Sequence, residues 1–163
     1  MIIRVAQPGD LPAIVDIYNQ AIQTKQSTGD TQPLRVEERL AWFQEHLPEK
    51  YPIFAAEEAG QVAGWCSLSN YRQGRAAFRF TAEISYYIAF DYHRRGIGTA
   101  LIEHAMAACP GLQIRHLFAI VLEGNQASLR LLEKMGFEKW GYLPQIADFD
   151  GSEVGHYYYG RHV

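Results

Sequence analysis

The chain has 163 residues, 48% hydrophobic and 20% charged, enough for one domain with a sizeable core. Its formal net charge of −3 and the lack of a polybasic run exclude a nucleic-acid binder, and no apolar stretch reaches the roughly 18 residues of a membrane span. Cys66 and Cys109 are the only cysteines, too few for a disulfide framework or a four-ligand zinc site, so free thiols in a reducing cytoplasm are expected.

Ile2 to Ala6 predicts a strand, and Met1 to Arg4 lack the apolar region of a signal peptide. Pro8-Gly9-Asp10 predicts a turn, with Asp10 as the N-cap of a helix running to Gln23. Leu11, Ile14, Val15, Ile17, Tyr18 and Ile22 form its apolar stripe. A polar loop to Pro33 follows, then a helix from Val36 to His46 closed by Pro48. Ile53–Glu58 and Gln61–Ser69 read as a hairpin turning at Ala59-Gly60, with Glu57 and Glu58 as plain surface charges. Asn70 to Ala77 is a loop carrying Arg72 and Arg75, and Phe78 to Phe90 is one long strand. A helix to Ala108, a strand from His116 to Leu122 and a helix from Asn125 to Met135 come next. Two strands, Phe137 to Leu143 and Glu153 to Arg161, close the chain. The order β-α-α-β-β-β-α-β-α-β-β implies an α/β fold on a mixed sheet rather than a doubly wound parallel one.

The most informative segment is His93-Arg94-Arg95-Gly96-Ile97-Gly98-Thr99, between a strand and a helix. Two glycines allow close approach to the backbone, the helix start offers unpaired N–H groups, and the arginines add positive charge. That is a cradle for a phosphate or pyrophosphate, a local positive site on an acidic protein. A P-loop would need Gly-Lys-Ser/Thr after its glycines, and a dinucleotide fingerprint a third glycine where Leu101 stands.

The segment resembles the pyrophosphate loop of the GNAT acyltransferases, Gln/Arg-x-x-Gly-x-Gly/Ala, with His93 replacing the first residue. Glu123-Gly124-Asn125-Gln126-Ala127-Ser128 followed by Gly136-Phe137 resembles a second region of that family. With Tyr18-Asn19, Ala41-Trp42-Phe43, Tyr51-Pro52 and Thr81-Ala82-Glu83, the resemblance narrows to the phosphinothricin and methionine sulfoximine acetyltransferase branch, from Ile2 to Pro144. It implies the GNAT fold in a single domain over residues 1–163. That fold has a central mixed, mostly antiparallel sheet flanked by helices, with two parallel strands splayed to hold acetyl-CoA. It also implies an N-acetyltransferase moving acetyl directly to the primary amine of a small molecule, an amino acid or analogue of the phosphinothricin or methionine sulfoximine type, and it leaves a homodimer open.

The resemblance places the catalytic base at Glu83, on the strand face shared by Arg79, Thr81, Ser85 and Tyr87. It places the oxyanion donor at the Ile88 N–H and sets the pantetheine amides against the backbone from Ile88 through Ala89 to Phe90. His93, Arg94, Arg95, Gly96, Ile97, Gly98 and Thr99 would hold the pyrophosphate, and Asn125 and Ser128 would border the pantetheine arm, with helix capping an equal role for Asn125. Arg72, Arg75, Phe78 and Arg79 are the candidates for the acceptor, the arginines for its carboxylate. Extended backbone would put Arg79 about 13 Å from Glu83, too far to grip one amino acid with it.

Two departures matter. Leu132 stands where the family has a Tyr or His that protonates the CoA thiolate, leaving Tyr87 or one of Tyr157, Tyr158 and Tyr159 to substitute. Phe149-Asp150-Gly151-Ser152-Glu153 replaces a basic, aromatic segment, so Asp148, Asp150 and Glu153 favour a cationic acceptor such as a polyamine or aminoglycoside. A protein N-terminus, or a non-catalytic acyl-CoA-binding module, also stays open. No metal site is expected, since His104, His116 and His156 lack ligand spacing.

Overall fold

The elements lie close to where apolar patterning puts them in a computed structural model that describes all of Met1–Val163. They are β1 (Ile2–Val5), α1 (Leu11–Gln23), α2 (Val36–Glu45), β2 (Ile53–Glu58), β3 (Gln61–Asn70), β4 (Thr81–Ile88), α3 (Ile97–Ala108), β5 (His116–Leu122), α4 (Gln126–Lys134), β6 (Glu138–Phe149) and β7 (Ser152–His162). All seven strands join one sheet in the order β1-β2-β3-β4-β5-β7-β6. Only β4 and β5 pair in parallel.

The helices divide between two apolar clusters. The stripe of α1 packs Ile14, Ile17, Tyr18 and Ile22 against Ile53 and Trp65, with Trp42 of α2 at the edge. The larger cluster joins α3 (Leu101, Ile102, Ala105) and α4 (Leu129, Leu132) to Cys66, Ile84 and Leu117 of the sheet. Both cysteines are free and buried.

Four expectations change. Asp10 does not cap α1. A turn of 3₁₀ helix, Pro8–Asp10, precedes it, and the Asp10 carboxylate accepts the Gln7 N–H at 2.7 Å. Arg4 holds that carboxylate at 2.7 Å, which keeps it well below the usual range, and also pairs with Glu57 at 3.0 Å, so Glu57 is not a plain surface charge. The strand expected over Phe78 to Phe90 is shorter, because Ala76–Phe78 and Phe90–Tyr92 each form a 3₁₀ turn. The last two strands are longer. Asp150 (φ 55°) and Gly151 (φ 90°) both adopt the left-handed region, as a tight hairpin turn requires, so the acidic segment becomes the tip of the β6–β7 hairpin.

The site follows from one break in the sheet. β4 and β5 pair only through Thr81↔His116, Ala82↔Leu117 and Glu83↔Phe118. Beyond Glu83, β4 stays with β3 as far as Gly64↔Ile88, and β5 stays with β7 as far as Leu122↔His156. Each strand keeps its outer neighbour, and a V-shaped gap opens between them, as the family resemblance implies.

Candidate active site

A cleft of about 480 Å³ fills the open end of the V, between β4, β5 and the first turns of α3 and α4. Ala89 N–H bonds Ala63 O of β3 at 3.0 Å, so strand alternation turns the Ile88 N–H and C=O the other way, into the gap. The Ile88 carbonyl accepts from His93 Nε2 at 3.0 Å, and the Phe90 N–H donates to Gln20 Oε1 at 2.8 Å. Of the backbone groups expected to face pantetheine, the Ile88 N–H faces the gap. Ala89 is buried with its N–H committed to β3.

At the wide mouth the loop before α3 alternates hands. Arg94 (φ 62°) and Gly96 (φ 79°) are left-handed, with Gly96 capping α3 without a side-chain bond to its first N–H groups. Those donors face the cleft with no internal partner, a concavity suited to an anion. A Cβ at Gly96 would meet nothing within 4 Å, leaving the backbone open to a ligand, whereas one at Gly98 would meet Leu131 Cδ2 at 3.0 Å. Gly98 thus serves the packing of α3 on α4. His93, Arg94, Ile97 and Thr99 line the cleft, but Arg95 turns away, stacking on Tyr92 at 4.9 Å with Glu58 at 3.7 Å. Asn125 lines the cleft, and its Oδ1 accepts the Ser128 N–H at 3.2 Å, so it caps α4 from the cleft wall.

A second pocket of about 350 Å³ meets the cleft at Ser27, Ser85, Tyr87 and Ile120. Glu83 is its only carboxylate and Arg39 its only guanidinium. Glu83 is half-buried, and burial alone pushes its carboxyl above the ordinary range. Serines surround it, since Ser69 and Ser67 of β3 face Glu83 and Ser85 across the ladder. Tyr18, Trp42, Trp65 and Tyr87 make the wall, with Trp65 and Tyr87 centroids 4.9 Å apart. His46 holds that wall to β3, donating through Nδ1 to Trp42 O at 2.7 Å and meeting Ser69 Oγ through Nε2 at 3.1 Å.

The loop after α1 closes the pocket. Asn19 clamps Leu34 through two bonds, at 2.9 and 2.8 Å, while the Tyr18 hydroxyl bonds Thr28 at 2.6 Å and Asp30. Burial pushes that phenol up to about 12. Ser27, Thr28 and Gly29 are thereby held at the rim.

Arg39 is the group that sequence reasoning missed. Its guanidinium lies 4.1 Å from the Trp42 ring and 4.9 Å from the Tyr18 ring, and no carboxylate of the chain pairs with it. The signal was present, because Arg39 and Trp42 lie three apart on one helix and so share a face. Arg72, Arg75, Phe78 and Arg79 do not line this pocket. Arg72 lies against Tyr71 and Phe78 against the same ring, while Arg79 stacks on Phe80 at 4.1 Å in a separate basic hollow with Lys50 and Arg115. The reason is the 3₁₀ turn, which takes Arg79 off the face it would share with Glu83 in a continuous strand. The acidic hairpin tip is also absent from the lining. Asp150 pairs with Lys25 at 3.4 Å and Asp148 accepts the Gly151 N–H at 2.7 Å. From that hairpin only Ala147 and His156 reach the pocket, and His156 Nε2 is buried without a partner.

Comparison with known proteins agrees with this geometry. Residues 13–137 match the family described as Acetyltransferase (GNAT) family. YwnH of Bacillus subtilis (strain 168), provisionally named a phosphinothricin acetyltransferase, is 40% identical over 100% of this chain and 99% of its own. The L-methionine sulfoximine/L-methionine sulfone acetyltransferase of Pseudomonas aeruginosa (strain PAO1) is 33% identical over 88% of this chain and 84% of its own. The crystal structure of a GNAT superfamily phosphinothricin acetyltransferase from Sinorhizobium meliloti in complex with AcCoA superposes with a TM-score of 0.92. It is 27% identical over 99% of this chain and 88% of that one.

Proposed function

Because the chain belongs to the acetyltransferase (GNAT) family, we propose that it moves the acetyl group of acetyl-CoA directly to the α-amine of a small amino acid or analogue. Bound acetyl-CoA supplies an activated thioester. The cleft fits it: left-handed Arg94 and Gly96 turn the α3 donors toward a pyrophosphate, and the Ile88 N–H faces the gap between β4 and β5. Ile88 N–H holds the acetyl oxygen as negative charge develops on it.

The observation that carries the reading is the pairing of Glu83 with Arg39 as the only carboxylate and the only guanidinium of one aromatic pocket that opens onto the cleft. An ammonium near Glu83 loses its proton there, directly or through a water held by Ser67, Ser69 and Ser85. Arg39 receives the acceptor carboxylate, stacked so that its planar fork is already oriented. Both cysteines are buried outside the two pockets, with burial pushing Cys109 up to about 11, so no enzyme nucleophile intervenes.

The test is CoA-thiol release from acetyl-CoA with methionine sulfone, methionine sulfoximine and phosphinothricin beside spermidine and an aminoglycoside. Release with the amino acids and not with the polycations is expected, because none of Asp148, Asp150 and Glu153 lines the acceptor pocket. Release with the polycations alone would overturn the amino-acid assignment. Silence across the panel with acetyl-CoA bound would favour a non-catalytic acyl-CoA-binding module.

The protein works as a cytoplasmic homodimer in this reading. Reduced, buried cysteines suit a reducing compartment. Phe78, Tyr71, Phe118 and Tyr158 form a ring-to-ring band beside the acceptor pocket, where Phe78 is 41% and Ile120 37% exposed, a surface for a second copy to cover. Sedimentation should give twice the monomer mass, and a monomer at micromolar concentration would overturn it.

A further inference from the structure

The family's thiolate partner on α4 is missing, and the structure shows what α4 offers in its place. Leu132 is fully buried in the core and does not reach the cleft. Of the expected substitutes, Tyr157, Tyr158 and Tyr159 line neither pocket, and Tyr159 donates to Glu133 at 3.0 Å. Tyr87 lies at the junction but packs edge-on against Tyr18 at 5.0 Å, on the acceptor side.

One turn before Leu132, on the same face of α4, Ser128 does line the cleft. Its hydroxyl meets the Tyr86 hydroxyl at 2.5 Å. Tyr86 is on β4, two residues from Ile88, so both side chains point toward α3 and α4 while Glu83, Ser85 and Tyr87 point toward α1. With acetyl-CoA in the cleft and the acceptor on the Glu83 side, the thioester sulfur lies between β4 and α4, within the cleft. The paired hydroxyls of Tyr86 and Ser128 line that same part of the cleft.

We propose that Tyr86, backed by Ser128, is a catalytic residue: its O–H donates a hydrogen bond to the CoA thiolate as the C–S bond breaks. This rests on the acetyl-CoA reading above. The electron balance is simple. The free amine nitrogen forms the C–N bond and gives up one proton to Glu83, which has by then passed the ammonium proton to solvent. The C–S pair stays on sulfur, stabilised by the Tyr86 O–H, and the thiolate takes its proton from solvent on release. Burial raises the Tyr86 phenol to about 12, so it stays a donor at any working pH. A buried donor to an anion also lowers the anion's own proton affinity.

The experiment is a titration of CoA bound to the enzyme, followed by the ultraviolet absorbance of its thiolate. The wild-type complex should ionise below the free thiol, whose ordinary value is about 8.5. In Tyr86→Phe the bound thiol should ionise about one pH unit higher than in wild type, with CoA affinity within about threefold. The same variant should lose about 10- to 100-fold in kcat at unchanged amine KM, the range for a hydrogen bond to a charged group. Ser128→Ala, which keeps the phenol, should fall between the two. Identical titrations in wild type and Tyr86→Phe, both binding CoA, would overturn this inference alone. A wild-type protein that binds no CoA would overturn the cofactor reading and the inference with it.

Discussion

Replacing Glu83 with Gln lowers kcat by about 100-fold, the low end of general-base contributions, because an α-amine with pKa about 7.7–8.0 is already partly deprotonated in mild alkali. CoA affinity should stay the same, since Glu83 does not line the cleft. The pH profile carries the sharper signature. Glu83 must be ionised to accept a proton, and burial has raised its carboxyl from 4.5. Wild-type kcat/KM should therefore fall on the acid side along two limbs, one from the substrate ammonium and one from Glu83. Only the ammonium limb should survive in Glu83→Gln.

Stability moves in the opposite direction. The folded-state pKa of Glu83 lies above its unfolded value, so the stability its protonated form contributes is present below the unfolded pKa and lost as pH rises through the folded one. At pH 8 the wild type holds a half-buried carboxylate that no cation of the chain neutralises. Gln removes that charge. The variant should melt above wild type at pH 8 and level with it near pH 4, where both are neutral. Lost activity with a raised melting temperature separates a catalytic Glu83 from a structural one; unchanged kinetics would sink its role as base.

The sequence shows the fold well because the fold is local here. Helical stripes and the Ala59-Gly60 turn are each written in a few adjacent residues, and the strands from Ile53 to Glu58 and from His116 to Leu122 appear with the ends expected. The cleft was legible for the same reason, since a Gly-rich loop between a strand and a helix is a contiguous signal. The acceptor pocket was not. Its walls come from Tyr18, Arg39, Trp65, Glu83 and His156, on five different elements, and no spacing along the chain brings these together. Arg79 shows the opposite error. Unbroken alternation from Phe78 would aim it beside Glu83, but the 3₁₀ turn at Ala76–Phe78 starts the strand late and sends its guanidinium to Phe80. Tyr86 was passed over because alternation puts it on the face away from the base. That orientation is what makes it available to the thiolate.

Trp65→Ala should cost about 3–5 kcal/mol of stability, the range for truncating a fully buried aromatic side chain. Trp65 is 1% exposed at the centre of the smaller apolar cluster, and its Nε1–H donates to Ile14 O of α1 at 3.1 Å. Tyr87, Trp42 and Tyr18 surround its ring, with centroids 4.9, 5.5 and 6.3 Å away, and all three belong to the acceptor pocket. Removing the indole therefore detaches α1 and α2 from β3 and loosens the wall that orients Arg39. At this chain length each kcal/mol moves the melting temperature by about 2–4 °C, so a fall on the order of 10 °C is expected. Trp65→Phe keeps a ring and loses the N–H, and should cost only about 1–2 kcal/mol. The two variants separate packing from catalysis. In Trp65→Phe the acceptor KM should stay within a few-fold of wild type. In Trp65→Ala, assayed well below its melting point, KM for the amine should rise while CoA affinity holds, because Trp65 borders the acceptor pocket and not the cleft. A loss below about 1 kcal/mol would mean that the helices close over the vacancy, and the aromatic wall would then not be what positions Arg39.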